Sequence, residues 1–258
     1  MKSNTKNVIF VTGANGLLGS SIVSTLSPKD FNIVLGYNKS RNRVDEYLKL
    51  QDKNKNVLAV HCDLTCYNSI NAAFNKIINN FGKIDSLINN AAYTKNIDNS
   101  SSHEIDHEII EKIITTNYIG AMYCCFEFIK CIKKEIKYSK EKILNKLVIN
   151  ILSNSIRTHH ASNIVYTSSK AALQSLTESL AVHYGKYARF NAIAPGLMKS
   201  ELTSDRFEKI SNDIIEKTPI GRLVEPIEIS NLIKMLITDL ESINGQTIYL
   251  DGGRTIGT

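Results

Sequence analysis

Short, almost wholly apolar runs alternate along the chain with longer segments in which apolar positions recur every three or four residues. The runs fall at 8–11, 32–37, 57–61, 86–89, 146–152, 189–194 and 247–250. Several lack polar alternation, which predicts strands covered on both faces, as in a parallel sheet. Between them, the helical period predicts helices over 17–27, 42–52, 67–81, 106–135, 163–185 and 226–239. Repeated strand, helix, strand units need right-handed crossovers. The pattern therefore predicts an α/β fold, a doubly wound parallel sheet of about seven strands with helices on both faces. No linker, repeat or low-complexity block interrupts it, so residues 1–258 are expected to form one domain.

Composition narrows the class. A chain of 258 residues, 43% hydrophobic and 22% charged, suits a single globular core. No apolar run approaches the roughly 18 residues of a membrane span. The run at 8–11 is too short for a signal sequence and leads into a glycine loop, so a cytoplasmic location is expected. The net charge of +6 comes from 24 Lys and 7 Arg scattered along a chain also rich in Asn and Ile. That is a compositional bias without a basic stripe, and no nucleic-acid partner is expected. Five cysteines are an odd number without secretory context, which argues against a disulfide framework. Cys124, Cys125 and Cys131 read as packing within GAMYCCFEFIKCI, and Cys62 and Cys66 lack the further ligands of a zinc site.

In a doubly wound sheet, ligands bind beyond the carboxyl ends of the strands. The first end carries TGANGLLG, Thr12 to Gly19. Its glycines let the backbone approach a pyrophosphate, and a helix starting near Leu17 offers free N–H groups; an ordinary turn is the alternative. The third end carries Asp63, whose carboxylate suits an adenine amino group. The fourth carries Asn89-Asn90-Ala91-Ala92, small enough to leave room for a ribose; a plain turn is the alternative at either end. After the fifth run comes Ser153, and then Tyr166 and Lys170 in IVYTSSKAAL. A Tyr and a Lys four apart share one helix face, where the ammonium favours the phenolate and draws the phenol toward acid–base use.

Taken together, these motifs resemble the short-chain dehydrogenase/reductase family in its short, single-domain branch. The likeness spans essentially the whole chain: TGANGLLG, Asp63, NNAA, Asn117 in NYIG, Ser153, Tyr166 and Lys170, NAIAPG ending at Gly196, and YLDGG ending at Gly253. The resemblance implies a Rossmann-like fold and catalysis by Ser153, Tyr166, Lys170 and Asn117. Tyr166 would exchange a proton with the substrate oxygen, Ser153 would hydrogen-bond that oxygen, and Lys170 would hold the nicotinamide ribose. Asn117 would keep a water chain to Lys170. For the cofactor it implies Gly13, Asn15, Gly16, Leu18, Gly19, Asp63, Leu64, Asn90, Ala91, Ala92, Tyr166, Lys170, Pro195, Gly196, Met198 and Ser200. A homo-oligomer, tetramer or dimer, is implied too, through the helix starting near Asn117 and the one carrying Tyr166.

Family members that use NAD place an acid at the end of the second strand. This chain has Tyr37, followed by Asn38, Lys39, Ser40 and Arg41. Lys39 or Arg41 could meet a 2′-phosphate, with Asn38 and Ser40 donating, which favours NADP(H) over NAD(H). A solvated basic loop is the alternative. Arg157, His159 and His160 would give the substrate pocket a polar, cationic rim, or else face solvent or a neighbouring subunit. The reaction implied is the interconversion of a carbonyl and a secondary alcohol on a small polar substrate, a sugar derivative being one candidate. The rivals are a 3-oxoacyl-thioester reductase acting on an acyl carrier protein, and a non-catalytic NADP-binding regulator or scaffold.

Two features depart from this picture. His103-Glu104-Ile105-Asp106-His107 spells HExxH, but it follows a loop and helix cap read at Asn99 to Ser102 and reads as a helix start, so no metal is expected. In TGANGLLG the middle glycine comes one place early, with Leu17 where close relatives of this branch have Gly. That leaves a leucine side chain close to the expected pyrophosphate.

Overall fold

The structure, a computed structural model, describes residues 6–51, 54–97, 99–138, 146–198 and 207–257, with side chains from 212 onward in the last stretch. Its seven strands are β1 (Asn7–Val11), β2 (Phe31–Tyr37), β3 (Val57–His61), β4 (Ser86–Asn89), β5 (Leu147–Ile151), β6 (Arg189–Pro195) and β7 (Thr247–Leu250). All pair in parallel, in the order β3-β2-β1-β4-β5-β6-β7.

Successive strand side chains point to opposite faces, and this splits the apolar residues into two layers. Val8 and Phe10 join Val34, Val60, Leu87, Val148 and Phe190 on one face. They are covered by α3 (Tyr67–Phe81), α5 (Ala121–Tyr138) and α7 (Ile164–Tyr184). Ile9 and Val11 join Ile33, Leu35, Ile88, Ile149 and Ile193 on the other, under α1 (Leu17–Thr25), α2 (Asn42–Leu50) and α9 (Pro226–Thr238). Each buried aliphatic or aromatic side chain contributes about 1.5–3 kcal/mol, so both faces need their helices. Cys124, Cys125, Phe128 and Ile132 of α5 lie in the first layer. The GAMYCCFEFIKCI segment thus packs into the core, as read from its pattern.

Three departures from the sequence pattern matter for the site. The single helix expected over 106–135 is α4 (His107–Ile114), a wide π-helical turn at Thr115–Gly120, and α5. Its cap is Asp106, whose carboxylate accepts the Glu108 N–H at 2.8 Å; Asn99 to Ser102, read as the cap, belong to a separate 3₁₀ turn, Asn99–Glu104. His103 and His107 consequently do not share one helical face. Two helices were not expected: α6 (Ser155–Thr158), one turn long, and α8 (Phe207–Glu216), where only four of ten residues are apolar.

The sheet order reverses between β1 and β4, because the chain leaves β1 toward β2 on one side and returns through β4 on the other. At such a switch point the connecting segments diverge and open a crevice. The site lies there.

Candidate active site

The loop after β1 is fastened to the end of β4. Thr12 Oγ1 accepts the N–H groups of Asn90 at 3.1 Å and Ala91 at 3.2 Å, and the Asn90 amide donates to the carbonyls of Thr12 and Gly13. Close packing then dictates two glycines. Gly13 has φ +65°, and a Cβ on it would lie 2.8 Å from Ala91 Cα; a Cβ on Gly19 would lie 2.2 Å from the Gly13 carbonyl oxygen. Gly16 is different, since a Cβ there would meet nothing nearer than 3.5 Å. It sits at the N-cap of α1, which has no side-chain cap and no acid in its first turn. Leu17, Leu18 and Gly19 follow, lining the cleft with N–H groups that precede the helix ladder. This is an open seat for an anion.

At the β3 end, Asp63 accepts the Thr65 N–H and hydroxyl and a hydrogen bond from the Asn38 amide. Burial pulls its carboxyl pKa upward, but these donors outweigh burial and hold it below the ordinary value. In the basic loop, Arg41 forks onto Asp45 at 2.6–3.0 Å and stacks over Tyr37 at 4.8 Å. Asn15 accepts the Arg43 N–H at the start of α2 and donates to Ser40 Oγ. These residues brace the loop behind the cleft, while Asn38 and Lys39 line it. Among the described residues no carboxylate pairs with Lys39.

At the end of β5, Ser153 Oγ accepts the Ser155 N–H at 3.2 Å and is hydrogen-bonded with the Tyr166 phenol. The Lys170 ammonium donates to the Ile151 carbonyl at 2.7 Å and lies 5.7 Å from the Tyr166 ring centroid. Burial lowers the lysine pKa to about 8. Burial also raises the tyrosine pKa to about 12, opposed by the Ser153 hydrogen bond. The expected downward pull of Lys170 on the phenol does not prevail here, because loss of water disfavours phenolate more than the neighbouring groups restore it. Asn117 lies buried in the π-helical turn. Its Oδ1 accepts the Tyr93 N–H at 2.7 Å, and its Nδ2 donates to the Tyr93 carbonyl and to Ser169 Oγ. The amide is bonded to the wall of the cleft, with no bond to Lys170.

A family model described as enoyl-(acyl carrier protein) reductase matches residues 13–255, which include all these groups but Thr12. The chain is a short-chain dehydrogenase/reductase. It is 26% identical to glucose 1-dehydrogenase 2 of Bacillus subtilis (strain 168), over 99% of this chain and 97% of that one. It is 25% identical to the 3-oxoacyl-[acyl-carrier-protein] reductase FabG of Staphylococcus epidermidis, over 95% and 97% of the two chains. In fold it matches a 3-ketoacyl-(acyl-carrier-protein) reductase from Brucella melitensis complexed with NADH, with a TM-score of 0.84 at 21% identity, covering 98% and 100%. An actinorhodin polyketide ketoreductase with NADPH matches with a TM-score of 0.86 at 20% identity, covering 99% and 100%. Like its family, this dehydrogenase/reductase is an NAD(P)-dependent oxidoreductase of alcohol and carbonyl groups. Among the described residues, no helix is long and apolar enough to cross a membrane.

The cleft of this short-chain dehydrogenase/reductase has a volume of about 940 Å³. It gathers Gly13, Gly16, Leu18, Gly19, Asn38, Lys39, Asp63, Leu64, Asn90, Ala91, Ala92, Ser153, Tyr166, Lys170, Pro195, Gly196 and Met198. Asn15, Tyr37, Ser40, Arg41 and Asn117 stand behind its lining. Arg157, His159 and His160 do not join it: the Arg157 guanidinium stacks 3.9 Å over the Tyr249 ring, and both histidines are exposed, His159 with φ 56°. Ser200 lies outside the described residues. Sequence reasoning missed Tyr93 and the α4 side of the cleft, Glu108, Glu111, Lys112 and Thr115, with the Lys112 ammonium 4.1 Å over the Tyr93 ring. The i, i+3, i+4, i+7 spacing of those four marks one helix face and was the available signal.

Proposed function

We propose that this enzyme interconverts a carbonyl and a secondary alcohol with NADP(H), on a polar substrate. The observation that carries the reading is the convergence of Ser153, Tyr166 and Lys170 at one end of a cleft whose other end is an open helix N-terminus. The residues fit a dinucleotide: uncapped N–H groups at Leu17 to Gly19 for the pyrophosphate, Asp63 for the adenine, and a buried Lys170 ammonium for ribose hydroxyls. When bound, the nicotinamide supplies or accepts hydride at the substrate carbon.

In the reducing direction Tyr166 donates its proton to the carbonyl oxygen, a role suited to a phenol that burial keeps protonated. Ser153 is held through a lone pair by the Ser155 N–H, and with substrate bound its hydroxyl hydrogen turns from the Tyr166 phenol to the substrate oxygen, where it stabilises negative charge. Lys170 holds a buried positive charge beside the phenol and stabilises the phenolate left after transfer. In the oxidising direction the same groups run in reverse.

Lys39 supports the NADP(H) preference. Arg41 is already bonded to Asp45, which leaves Lys39 as the loop cation that lines the cleft and can meet a 2′-phosphate. Lys39→Ala is expected to weaken NADPH binding about tenfold, with NADH binding within twofold, by titration of nucleotide fluorescence. An equal loss for both nucleotides assigns Lys39 no part in the preference.

The polar side chains of α4 along the cleft support a polar substrate, while FabG of S. epidermidis keeps a 3-oxoacyl thioester as the second reading. NADPH oxidation across sugars, small ketones and 3-oxoacyl thioesters separates them. Tyr166→Phe is expected to cut turnover at least a thousandfold without changing NADPH affinity. A non-catalytic binder would bind NADPH and turn over none of the panel. A homo-oligomer remains part of the proposal, through surface that the core does not already use, such as the exposed Val182 on α7.

A further inference from the structure

The helix that carries Tyr166 is anchored at its first turn by a residue outside the set named so far. Asn163 is fully buried and stands at the N-cap of α7 in an extended conformation. Tyr166 is the third residue of that helix, so its N–H has no partner within the helix ladder. Asn163 Oδ1 accepts that N–H at 2.7 Å. The other side of the same amide faces the chain that follows Asn90-Ala91-Ala92. Asn163 Nδ2 donates to the Lys95 carbonyl at 2.8 Å and to Thr94 Oγ1 at 3.2 Å. Beside it Thr94 Oγ1 and Ser162 Oγ are hydrogen-bonded, and the Ile97 N–H donates to the Ser162 carbonyl at 2.9 Å.

We propose that Asn163 is a positioning residue for Tyr166, a two-sided clamp that caps the tyrosine helix and fastens it to segment 93–97, whose Tyr93 lines the cleft. The inference rests on the reading of Tyr166 as the proton-transfer group. Capping alone would be met by Ser, Thr or Asp, whose side-chain oxygens accept an N2 or N3 N–H. The amide accepts from the helix on one atom and donates two hydrogen bonds to the loop from another, whereas Ser or Thr has a single oxygen for both tasks and an ionised Asp has no donor. Tyr93, at the near end of the same segment, lines the cleft and has both its backbone groups held by Asn117. The segment is thus tied at one end to the π-helical turn and at the other to the start of α7. Asn163 is buried while Thr94 and Ser162 are half-buried, so a displaced Asn163 amide would be left unpaired away from water, and this favours the one geometry that satisfies it. Tyr166 and Tyr93 are held in one frame by it. A phenol at the start of a 21-residue helix also lies near the positive end of the helix dipole, which favours its charged form only while the first turn is intact.

The test compares Asn163→Ala, which removes both sides of the clamp, with Asn163→Ser, which keeps only the cap. Two readouts are taken on the full chain: kcat and the NADPH KM for a carbonyl reduction that Tyr166→Phe abolishes, and amide hydrogen exchange in peptides covering 93–97 and 164–170. Expected for Asn163→Ala is a fall in kcat of at least tenfold with KM within twofold, and exchange at least tenfold faster in both peptides. Asn163→Ser should recover kcat to about threefold below wild type, with fast exchange confined to 93–97. Wild-type kcat in both variants, unchanged exchange at 93–97, or equal loss of kcat in both variants with KM rising in step would overturn the clamp. If Asn163→Ala does not fold, Asn163→Ser decides through the exchange at 93–97. Should Tyr166→Phe leave turnover intact, the tyrosine reading fails, and the exchange data alone then decide whether Asn163 joins the two segments.

Discussion

Lys170 and Tyr166 are paired by mutual desolvation as much as by attraction. The ammonium is buried with one carbonyl acceptor, and its pKa falls to about 8, while the phenol rises to about 12. This has a consequence for stability without cofactor. The folded protein releases the lysine proton near pH 8 and the unfolded chain keeps it to about 10.5. Across that window the unfolded state binds more protons, so stability rises with pH. Relative to Lys170→Met, the wild type should gain about 2 kcal/mol between pH 7.5 and 9.5 in urea denaturation. A constant difference over that range would show that the ammonium is solvated. The tyrosine works the other way, but only between about pH 10 and 12, above the measured range. Residue identities were legible, since four-residue spacing puts Tyr166 and Lys170 on one face. Their protonation was not, because burial is a property of the assembled fold. The same holds for Arg157, which sequence placed at the pocket rim and which Tyr249 holds elsewhere by stacking.

At the scale of elements, the strands follow directly from their apolar runs, and their alternation splits them between two helix layers. What escaped was the break in the helix over 106–135. A π-helical turn has no compositional signature, and here it places Asn117 against Tyr93. The α8 helix escaped because its apolar stripe is thin. The glycine loop was legible as a turn that opens a helix, while which of its glycines the fold itself requires was not legible from their spacing. The chain demands glycine at 13 and 19, where a Cβ would enter backbone atoms, and not at 16. Gly19→Ala should therefore lower the unfolding free energy by about 3 kcal/mol or more, a scale set by strain at a tightly packed site, and Gly16→Ala by under 1 kcal/mol. Equal effects in thermal or chemical unfolding would contradict that assignment. Leu17 then occupies the first helical position without displacing a glycine that the packing requires.

At the scale of the molecule, the parallel order turns at β1 and β4, and the crevice opened there collects groups from the ends of β1 to β6 and from α4 and α7. Topology and cleft were both implied by the strand, helix alternation, while the α4 wall depended on how that helix lies across the crevice. The central claim is that this crevice performs tyrosine-dependent carbonyl chemistry with NADP(H). It is tested most directly by the initial rate of NADPH oxidation with wild type and Tyr166→Phe, over the panel of sugars, ketones and 3-oxoacyl thioesters. The account predicts at least one carbonyl substrate reduced by the wild type and slowed at least a thousandfold by the substitution, at unchanged NADPH affinity. Turnover that survives the loss of the phenol, or a wild type that does not bind NADPH, would contradict it.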